Sequence, residues 1–495
     1  MNAQTAAAHA PLSFRTKFLY GFGSISFGVH VYVLSLLLFF YNQVIGVPAG
    51  LVSLALAATI VIDAVWDPIL GQVSDRLRTP WGRRHPLMYA SAIPVALTML
   101  ALWRPPPAFS VEQKALWLFV FVLAARLVIS LYEVPSQALA PELVPEYHER
   151  TALLGYRWIF YTLGGAVATM SGYLIFFRAT PKYPLGQLNP AAWGPLTVTA
   201  TIMMVGSIVI SALGTHDRIK TLHRPPPRRA GFGEVLREVL ATLRNWNLGV
   251  ALTASMIGGV SYGIYLGLQL YVDTFFWRLP AMSVGVLSFA NLASLLPGAW
   301  AAAAVSRRFG KKYACVGFFL LGLVFLQGPI LLRMLGAFPE VGTAAYMPAL
   351  FGVRFMHGIL TNAAYIVVTS MIADITEDAQ VKTGARSEGL LMAANSFVTK
   401  LTAGLAVVLP GVMLSAVHFP ARATAAVSPE AVRNLMWLYL PSTVALSVAS
   451  ILTWMLYRID QQTHERNLAT VAAAAAAAEA RTEVLGEAAP IRAAE

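Results

Sequence analysis

The sequence predicts an all-α membrane protein with twelve transmembrane helices in two pseudo-symmetric six-helix halves. Composition is the first indication, since 57% of the 495 residues are hydrophobic, only 12% are charged and the mean hydropathy is +0.62. A soluble protein carries about 25% charged residues. The second indication is a series of apolar runs, most of about 20 residues or longer, parted by short polar loops. The third is a similarity between the connections that follow the second and the eighth run.

Twelve apolar segments can be placed along the chain. They are expected at about 18–42, 49–73, 86–103, 115–140, 151–177, 194–213, 248–274, 281–305, 313–336, 344–375, 389–417 and 432–457. The longest internal connection lies between the sixth and seventh segments. We therefore predict an N-terminal half over 1–213, a middle loop over 214–247 and a C-terminal half over 248–458.

The middle loop and the tail at 459–495 have different predicted structures. The loop contains a Pro-rich basic stretch, HRPPPRR, followed by a stretch of helical periodicity with charges on one face. This pattern predicts an amphipathic surface helix that joins the halves, with a regulatory docking helix as the alternative. The Ala-rich tail favours helix but has no apolar stripe, so it is predicted to be solvated or disordered.

Lysine and arginine are concentrated in alternate loops, which accounts for much of the net charge of +12. The positive-inside rule then places both termini and the middle loop in the cytoplasm, in a multi-pass protein of the cell inner membrane. The first residues lack the apolar core of a signal peptide, and the single cysteine, Cys315, excludes an internal disulfide.

The similarity between the halves lies in two basic connections. GQVSDRLRTPWGRRHP follows segment two, and VSRRFGKKYA follows segment eight. Each places basic residues after a glycine at a tight turn. Two pseudo-symmetric six-helix halves are typical of the major facilitator fold, in which the solute binds between them near the bilayer midplane. In the first connection Asp75, Arg76, Gly82, Arg83 and Arg84 are predicted to join neighbouring helix ends as a gate.

Segment two carries two acids inside an apolar run. Asp63 and Asp67 are four residues apart, so both carboxylates lie on one helix face. An acid within a membrane helix costs about 2.5–3.5 kcal/mol on insertion scales. Pro68 adds a freed backbone carbonyl beside them. A bound cation, a proton or a basic group on another helix is needed to offset the free-energy cost of these two carboxylates.

Further ionisable residues fall within other segments. Glu133 on segment four is expected at nearly the depth of the two acids, and Lys400 on segment eleven could pair with them across a central cavity as the halves rock. For Arg126 and Arg354 we expect structural pairing or snorkelling. His357 is expected to be a satisfied interior histidine.

Several motifs carry a family resemblance. D-x-x-x-D-P on segment two is followed by G-x-x-x-D and T-P-W-G-R-R-H-P. The others are K-F-L-Y-G-F-G at 17–23, E-V-P at 133–135, E-R at 149–150, Y-R at 156–157, A-D-I at 373–375, R-S-E at 386–388 and S-F-V-T-K at 396–400. Together they resemble the glycoside–pentoside–hexuronide cation symporters, the melibiose permease-like family of the major facilitator superfamily.

This resemblance implies roles for particular residues. The implied cation site is formed by Asp63, Asp67, Ser130 and Glu133. The implied sugar-contacting positions are Glu133, Arg157, Tyr365 and Ser396, and Lys400 would link the cation and sugar sites.

Three positions depart from the family pattern. The family's helix-one acid aligns with Gly28, and its helix-four aromatic aligns with Gln137. A galactoside pose is therefore not expected. Trp66 replaces a small polar residue that helps to select Na⁺, so proton coupling is at least as expected as sodium coupling.

The predicted function is a secondary active symporter that imports a sugar or glycoside with H⁺ or Na⁺. We expect a monomer without enzymatic activity, cofactor or nucleic-acid partner, whose partners are the solute, the cation and the bilayer. A lysolipid or another organic solute is the alternative within transport. A membrane sensor or an intramembrane enzyme is the distant alternative, and Cys315 has no catalytic partner visible in the sequence.

Overall fold

The computed structural model describes residues 12–144, 147–221, 246–383, 388–422 and 427–460, together with residues 462–463, 465–467 and 470. The predicted helix of the middle loop and most of the predicted tail lie outside these residues. Within the described ranges the protein is helical, and the only β-bridge is an isolated pair between Thr79 and Gly82.

Twelve of the described helices are long and apolar enough to cross a membrane, as the hydropathy pattern predicted. In chain order they are α1, Phe14–Ile45; α2, Ala49–Arg76; α3, His85–Leu102; α4, Val111–Leu143; α5, Tyr147–Met170; α6, Pro190–Gly214; α7, Trp246–Tyr271; α8, Ala281–Phe309; α9, Lys311–Met334; α10, Tyr346–Thr383; α11, Glu388–Ala416; and α12, Pro429–Met455.

The helix α4 is longer at both ends than the expected span of 115–140. It begins with a capping box, in which the Ser110 hydroxyl accepts from the backbone N–H of Gln113 at 3.3 Å and the Gln113 side chain accepts from the backbone N–H of Ser110 at 2.8 Å. The helix continues through Pro135 and Pro141. Because it is helical throughout, side chains spaced three or four residues apart share one face over its whole length.

The helices α1 and α5 cross at very short distance around Gly28. A Cβ atom at Gly28 would lie 2.0 Å from the carbonyl oxygen of Tyr161 and 3.1 Å from the backbone nitrogen of Gly165. A similar approach occurs one turn away, where a Cβ at Gly164 would lie 2.8 Å from the backbone of Ile25. Position 28 therefore has no space for a side chain in this packing.

Replacing Gly28 with Ala should lower the free energy of unfolding by about 1–3 kcal/mol, because the added methyl group forces α1 and α5 apart. The measurement is thermal unfolding of the purified protein in detergent. The matched control is Gly206→Ala on α6, where an added Cβ meets no atom within 4 Å. The control should be neutral or slightly stabilising. Equal melting temperatures for both variants would contradict the close crossing.

The chain groups into two compact units. One contains the described residues of Met1–Arg228, Tyr262–Phe289 and Ala403–Pro441. The other contains those of Arg229–Ser261, Ala290–Thr402 and Ser442–Glu495. The first unit thus holds α1–α6 together with parts of the helices that follow. The domain boundaries at 214–247 stay a prediction.

Within the first unit, four aromatic rings cluster at the end of α1. We call Phe39, Tyr271, Phe275 and Phe419 the aromatic seal. The ring centroids of Phe39 and Tyr271 are 5.1 Å apart, those of Tyr271 and Phe419 are 5.7 Å apart, and those of Phe275 and Phe419 are 5.4 Å apart. These are the edge-on contacts that aromatic pairs prefer.

Hydrogen bonds between uncharged groups surround the aromatic seal. The Tyr271 hydroxyl donates to Asn42 Oδ1 at 3.0 Å, and Gln43 Nε2 donates to the carbonyl oxygen of Pro420 at 3.0 Å. The backbone N–H of Arg422 donates to the carbonyl oxygen of Asn42 at 2.8 Å. The side chains of Asn42 and Gln43 are almost fully buried. They lie on the π-helical segment Phe40–Ile45 that ends α1, and Tyr271 directly precedes a second such segment, Val272–Phe276.

Candidate functional site

A polar face runs along the middle of α4. Arg126, Ser130, Glu133 and Gln137 are spaced four, three and four residues apart, so they follow one another on one side of the helix. Ser130 and Glu133 are buried. Since this face lies within a predicted membrane span, each polar group needs a partner from the protein, the solute or an ion.

The helix α2 meets this face with the two acids. The Ser130 hydroxyl donates to Asp67 Oδ1 at 2.8 Å. The indole N–H of Trp66 donates to the carbonyl oxygen of Leu127 at 3.2 Å. The two hydrogen bonds hold α2 and α4 in register beside the acids. Two of the implied cation ligands, Asp67 and Ser130, are thus in direct contact.

The guanidinium of Arg126 belongs to the same cluster. It is close enough to Asp63 and Asp67 to interact electrostatically with both carboxylates. The imidazole of His30 on α1 lies within electrostatic range of Arg126 as well. The sequence alone predicts structural pairing or snorkelling for Arg126. Its spacing of four residues from Ser130 is the signal that could have placed it at the acid pair.

Glu133 forms an ion pair with Arg157 of α5 through Oε1. The same oxygen accepts from Gln137 Nε2 at 2.9 Å. The other oxygen, Oε2, is buried and has no hydrogen-bond partner among the described residues. A buried carboxylate oxygen without a donor is costly, and a bound solute or ion is one way to satisfy it.

Arg157 ties three helices together. Its Nη1 donates to the Ser136 hydroxyl on α4 at 2.7 Å, and the Tyr20 hydroxyl on α1 lies 3.5 Å from the same nitrogen. The Tyr20 hydroxyl in turn donates to the carbonyl oxygen of Ser136 at 2.8 Å. Glu133 and Arg157, both implied sugar-contacting residues, are therefore in contact. Sequence reasoning missed Tyr20 and Ser136, because their part depends on helix packing.

The implied residues of the second half lie on α10 and α11. Lys400 is half-buried on α11. The ring of Tyr365 meets that of Phe319 edge-on, with centroids 6.2 Å apart, and the side chain of Ser396 lies outside the described residues. That Lys400, Tyr365 and Ser396 meet the acids of the first half stays a prediction. The Nδ1 of His357 donates a hydrogen bond to the carbonyl oxygen of Gly322 at 3.1 Å, in keeping with an interior histidine.

The predicted gating loop is held by one buried arginine. Arg84 Nη2 lies 2.6 Å from Asp75 Oδ1 and 2.7 Å from Glu142 Oε1, and Arg83 Nη2 lies 3.0 Å from the same Glu142 oxygen. Gly82 has φ +75°, a left-handed conformation that favours glycine, and it makes the turn before them. The loop thus joins the ends of α2 and α4.

Arg76 at the end of α2 and Glu142 on α4 differ in burial. Arg76 is exposed, so its proposed part in the gate has no support from burial. Glu142 is almost fully buried and was not predicted, because nothing in the sequence shows which acid faces the loop.

In the second half, Lys311 and Asp374 form the corresponding contact, with Nζ 2.7 Å from both carboxylate oxygens. A gating role for either pair stays a prediction.

The structure gives physical reasons for two departures from the family pattern. An acid at position 28 has no space, because the backbone of α5 approaches Gly28 directly. At position 137 the amide of Gln137 donates to Glu133 Oε1 at 2.9 Å. The change at position 137 therefore alters the surroundings of Glu133 from those of the implied sugar site.

The family follows from a comparison with protein-family models. The model described as MFS/sugar transport protein matches residues 19–461. The chain belongs to this family. The resemblance inferred from the motifs is therefore confirmed, and so is the predicted fold class of twelve membrane helices. Members of this family are transporters, and the twelve apolar helices make this one a multi-pass membrane protein.

Three curated relatives match most of the chain. An uncharacterized symporter of Synechocystis is 26% identical over 86% of this chain and 90% of its own length. A putative 2,3-dihydroxypropane-1-sulfonate exporter of Escherichia coli is 24% identical over 92% and 95%. A putative sulfoquinovose importer of Salmonella typhimurium is 26% identical over 91% and 91%.

A solved structure supports the fold. The xylose transporter XylE from Escherichia coli, in a partially occluded inward-open conformation, superimposes with a TM-score of 0.57. The match covers 91% of this chain and 98% of the transporter at 11% identity. At this identity the likeness concerns the fold alone.

Proposed function

We propose that the protein imports a sugar or glycoside together with a cation by alternating access. The observation that carries the proposal is the polar face of α4, where Ser130 contacts Asp67 and Glu133 contacts Arg157 one helical turn away. A cation could neutralise the acid pair beside Ser130, and a solute could donate a hydrogen bond to the buried Oε2 of Glu133. The two would thus act on neighbouring turns of α4.

The surroundings of Asp67 favour H⁺ as the coupling ion. The indole N–H of Trp66 is engaged by the carbonyl oxygen of Leu127, and an indole offers no oxygen ligand to a metal cation. Proton coupling requires only that one carboxylate bind a proton during the cycle. The charge of Arg126 beside the pair also opposes the entry of Na⁺.

The solute class is inferred from the family and its relatives. The matched family is one of sugar transport, and one relative is named a putative importer of sulfoquinovose. Import rather than export is our proposal, because the H⁺ gradient across a cell inner membrane drives a symported solute inward. One relative is named a putative exporter, so the uptake experiment also measures the direction of transport.

We place both termini and the loop 214–247 in the cytoplasm. The support is the concentration of lysine and arginine in that set of loops. The aromatic seal then lies at the outer end of α1, and the Arg84 contacts lie at the inner end of α2.

Uptake by proteoliposomes tests the proposal. Purified protein is reconstituted, and labelled sugars and glycosides are offered under an inward H⁺ gradient, an inward Na⁺ gradient, or neither. We expect accumulation above the equilibrium level under the H⁺ gradient alone, with abolition by a protonophore. Protein-free vesicles are the control.

Three results would change the proposal. Accumulation that follows the Na⁺ gradient and ignores the H⁺ gradient would show that the ion is Na⁺. Competition by lysolipids but not by free sugars would favour a lysolipid solute. Solute binding without any gradient-driven accumulation would contradict symport.

A further inference from the structure

We propose that Arg126 is a built-in counter-charge of the acid pair and that it determines which coupling cation the site accepts. The inference rests on the proposed function and deepens it. It gives a role to a membrane arginine for which the sequence alone predicts structural pairing or snorkelling.

Arg126 lies on the same face of α4 as the hydroxyl that contacts Asp67. Arg126 is four residues before Ser130 on α4, and Ser130 donates to Asp67 at 2.8 Å. One helix face therefore presents a fixed positive charge and a hydroxyl to the same partner helix. The Trp66–Leu127 hydrogen bond fixes α2 against α4 at this level, between the turns that carry Arg126 and Ser130.

The charge of Arg126 acts on both acids of the pair. Arg126 interacts electrostatically with Asp63 and Asp67 together, and arginine stays charged throughout the physiological range. The facing ionisable groups of the neighbouring helices are these two acids on α2 and His30 on α1. On α4 and α5, Glu133 and Arg157 form an ion pair with each other. Among the described residues of α1, α2, α4 and α5, Arg126 is thus a cation whose charge acts on both acids of the pair.

The guanidinium of Arg126 has few hydrogen bonds to hold it in place. The Nε of Arg126 is buried and has no hydrogen-bond partner among the described residues. By comparison, the guanidinium of Arg157 is fixed by hydrogen bonds to Glu133 and Ser136. Electrostatic attraction to Asp63 and Asp67 is therefore the main force that holds the Arg126 guanidinium beside the carboxylates. The guanidinium can move away when a carboxylate binds a proton.

The charge of Arg126 affects which cation can bind at the acid pair. A Na⁺ ion at the carboxylates would lie beside the guanidinium and be repelled, whereas a proton forms a covalent O–H bond and neutralises the carboxylate. In an effective dielectric of about 20, a full charge several ångströms away weakens the binding of a monovalent metal ion by roughly tenfold or more. Removal of the arginine charge should therefore create a Na⁺ site.

The experiment measures equilibrium binding of radiolabelled Na⁺ to the purified full-length protein. The variants are Arg126→Gln and Arg126→Met, which remove the charge, and Arg126→Lys, which keeps it. The matched control is Arg104→Gln, since Arg104 is exposed beyond the end of α3. A double variant, Arg126→Gln with Asp67→Asn, shows whether any gained Na⁺ binds at the acid pair.

We expect weak Na⁺ binding by the wild type, the control and Arg126→Lys. The neutral variants should bind Na⁺ at least tenfold more tightly, and the double variant should lose this gain. Unchanged Na⁺ affinity in the folded neutral variants would overturn the proposal. Should neither neutral variant fold, the wild-type measurement decides, because tight Na⁺ binding beside an intact Arg126 also overturns it.

Failure of this inference and failure of the proposed function give different results. Gradient-driven uptake by the wild type together with an unchanged Na⁺ affinity after loss of Arg126 refutes the inference alone. Absence of gradient-driven uptake in the wild type refutes the proposed function, whatever the binding data show.

Discussion

Replacement of Asp67 by Asn should abolish cation-driven accumulation of the solute while leaving solute exchange down its own gradient. The substitution keeps size and removes the charge that a coupling ion would neutralise. Asn can still accept from Ser130, so the contact between α2 and α4 is retained. The solute level inside proteoliposomes under an H⁺ gradient should fall to the equilibrium value.

The control for this variant is Asp217→Asn. Asp217 is an exposed acid in the turn after α6, distant in sequence from the acid pair, and its loss should leave accumulation unchanged. Counterflow of preloaded solute shows that the Asp67→Asn protein is folded and binds. Wild-type accumulation by Asp67→Asn would remove the acid pair from the coupling mechanism.

Replacement of Arg157 by Leu should destabilise the protein by about 3–5 kcal/mol and stop transport, because Glu133 is left as a buried charge without its cation. The loss also breaks the contacts to Ser136 and Tyr20, so α1, α4 and α5 are no longer joined at this point. Thermal unfolding in detergent and uptake by proteoliposomes are the measurements.

A double variant separates stability from transport. Glu133→Gln with Arg157→Leu removes both charges, so much of the lost stability should return. Transport should not return, because the proposed solute-binding groups are still missing. Recovery of both properties would show that the ion pair is only structural.

The number and type of helices were predictable because a membrane span needs a long apolar run, which hydropathy reports directly. The acid pair was predictable for a similar reason, since Asp63 and Asp67 are related by helical spacing alone. The motifs around them also led to the correct family.

The partners of these residues were not predictable from the sequence. Glu133 pairs with Arg157 because α4 and α5 pack at a particular rotation, and no spacing along the chain specifies that rotation. Glu142 faces the arginines of the α2–α3 loop for the same kind of reason. In the sequence Gly28 is only a missing acid, whereas the structure shows that the α1–α5 crossing leaves no room for one.

The composition of the aromatic seal has a consequence for electrical behaviour. The described contacts between its helices are ring contacts and hydrogen bonds of uncharged groups such as Asn42, Gln43 and Tyr271. Separation of such groups moves no net charge through the membrane field, whereas each elementary charge that crosses it contributes about 2.3 kcal/mol per 100 mV. The breaking of these particular contacts is accordingly expected to add no voltage dependence of its own. A dependence of transport on membrane potential is then expected to arise from charged groups of the protein, among them Asp63, Asp67 and Arg126.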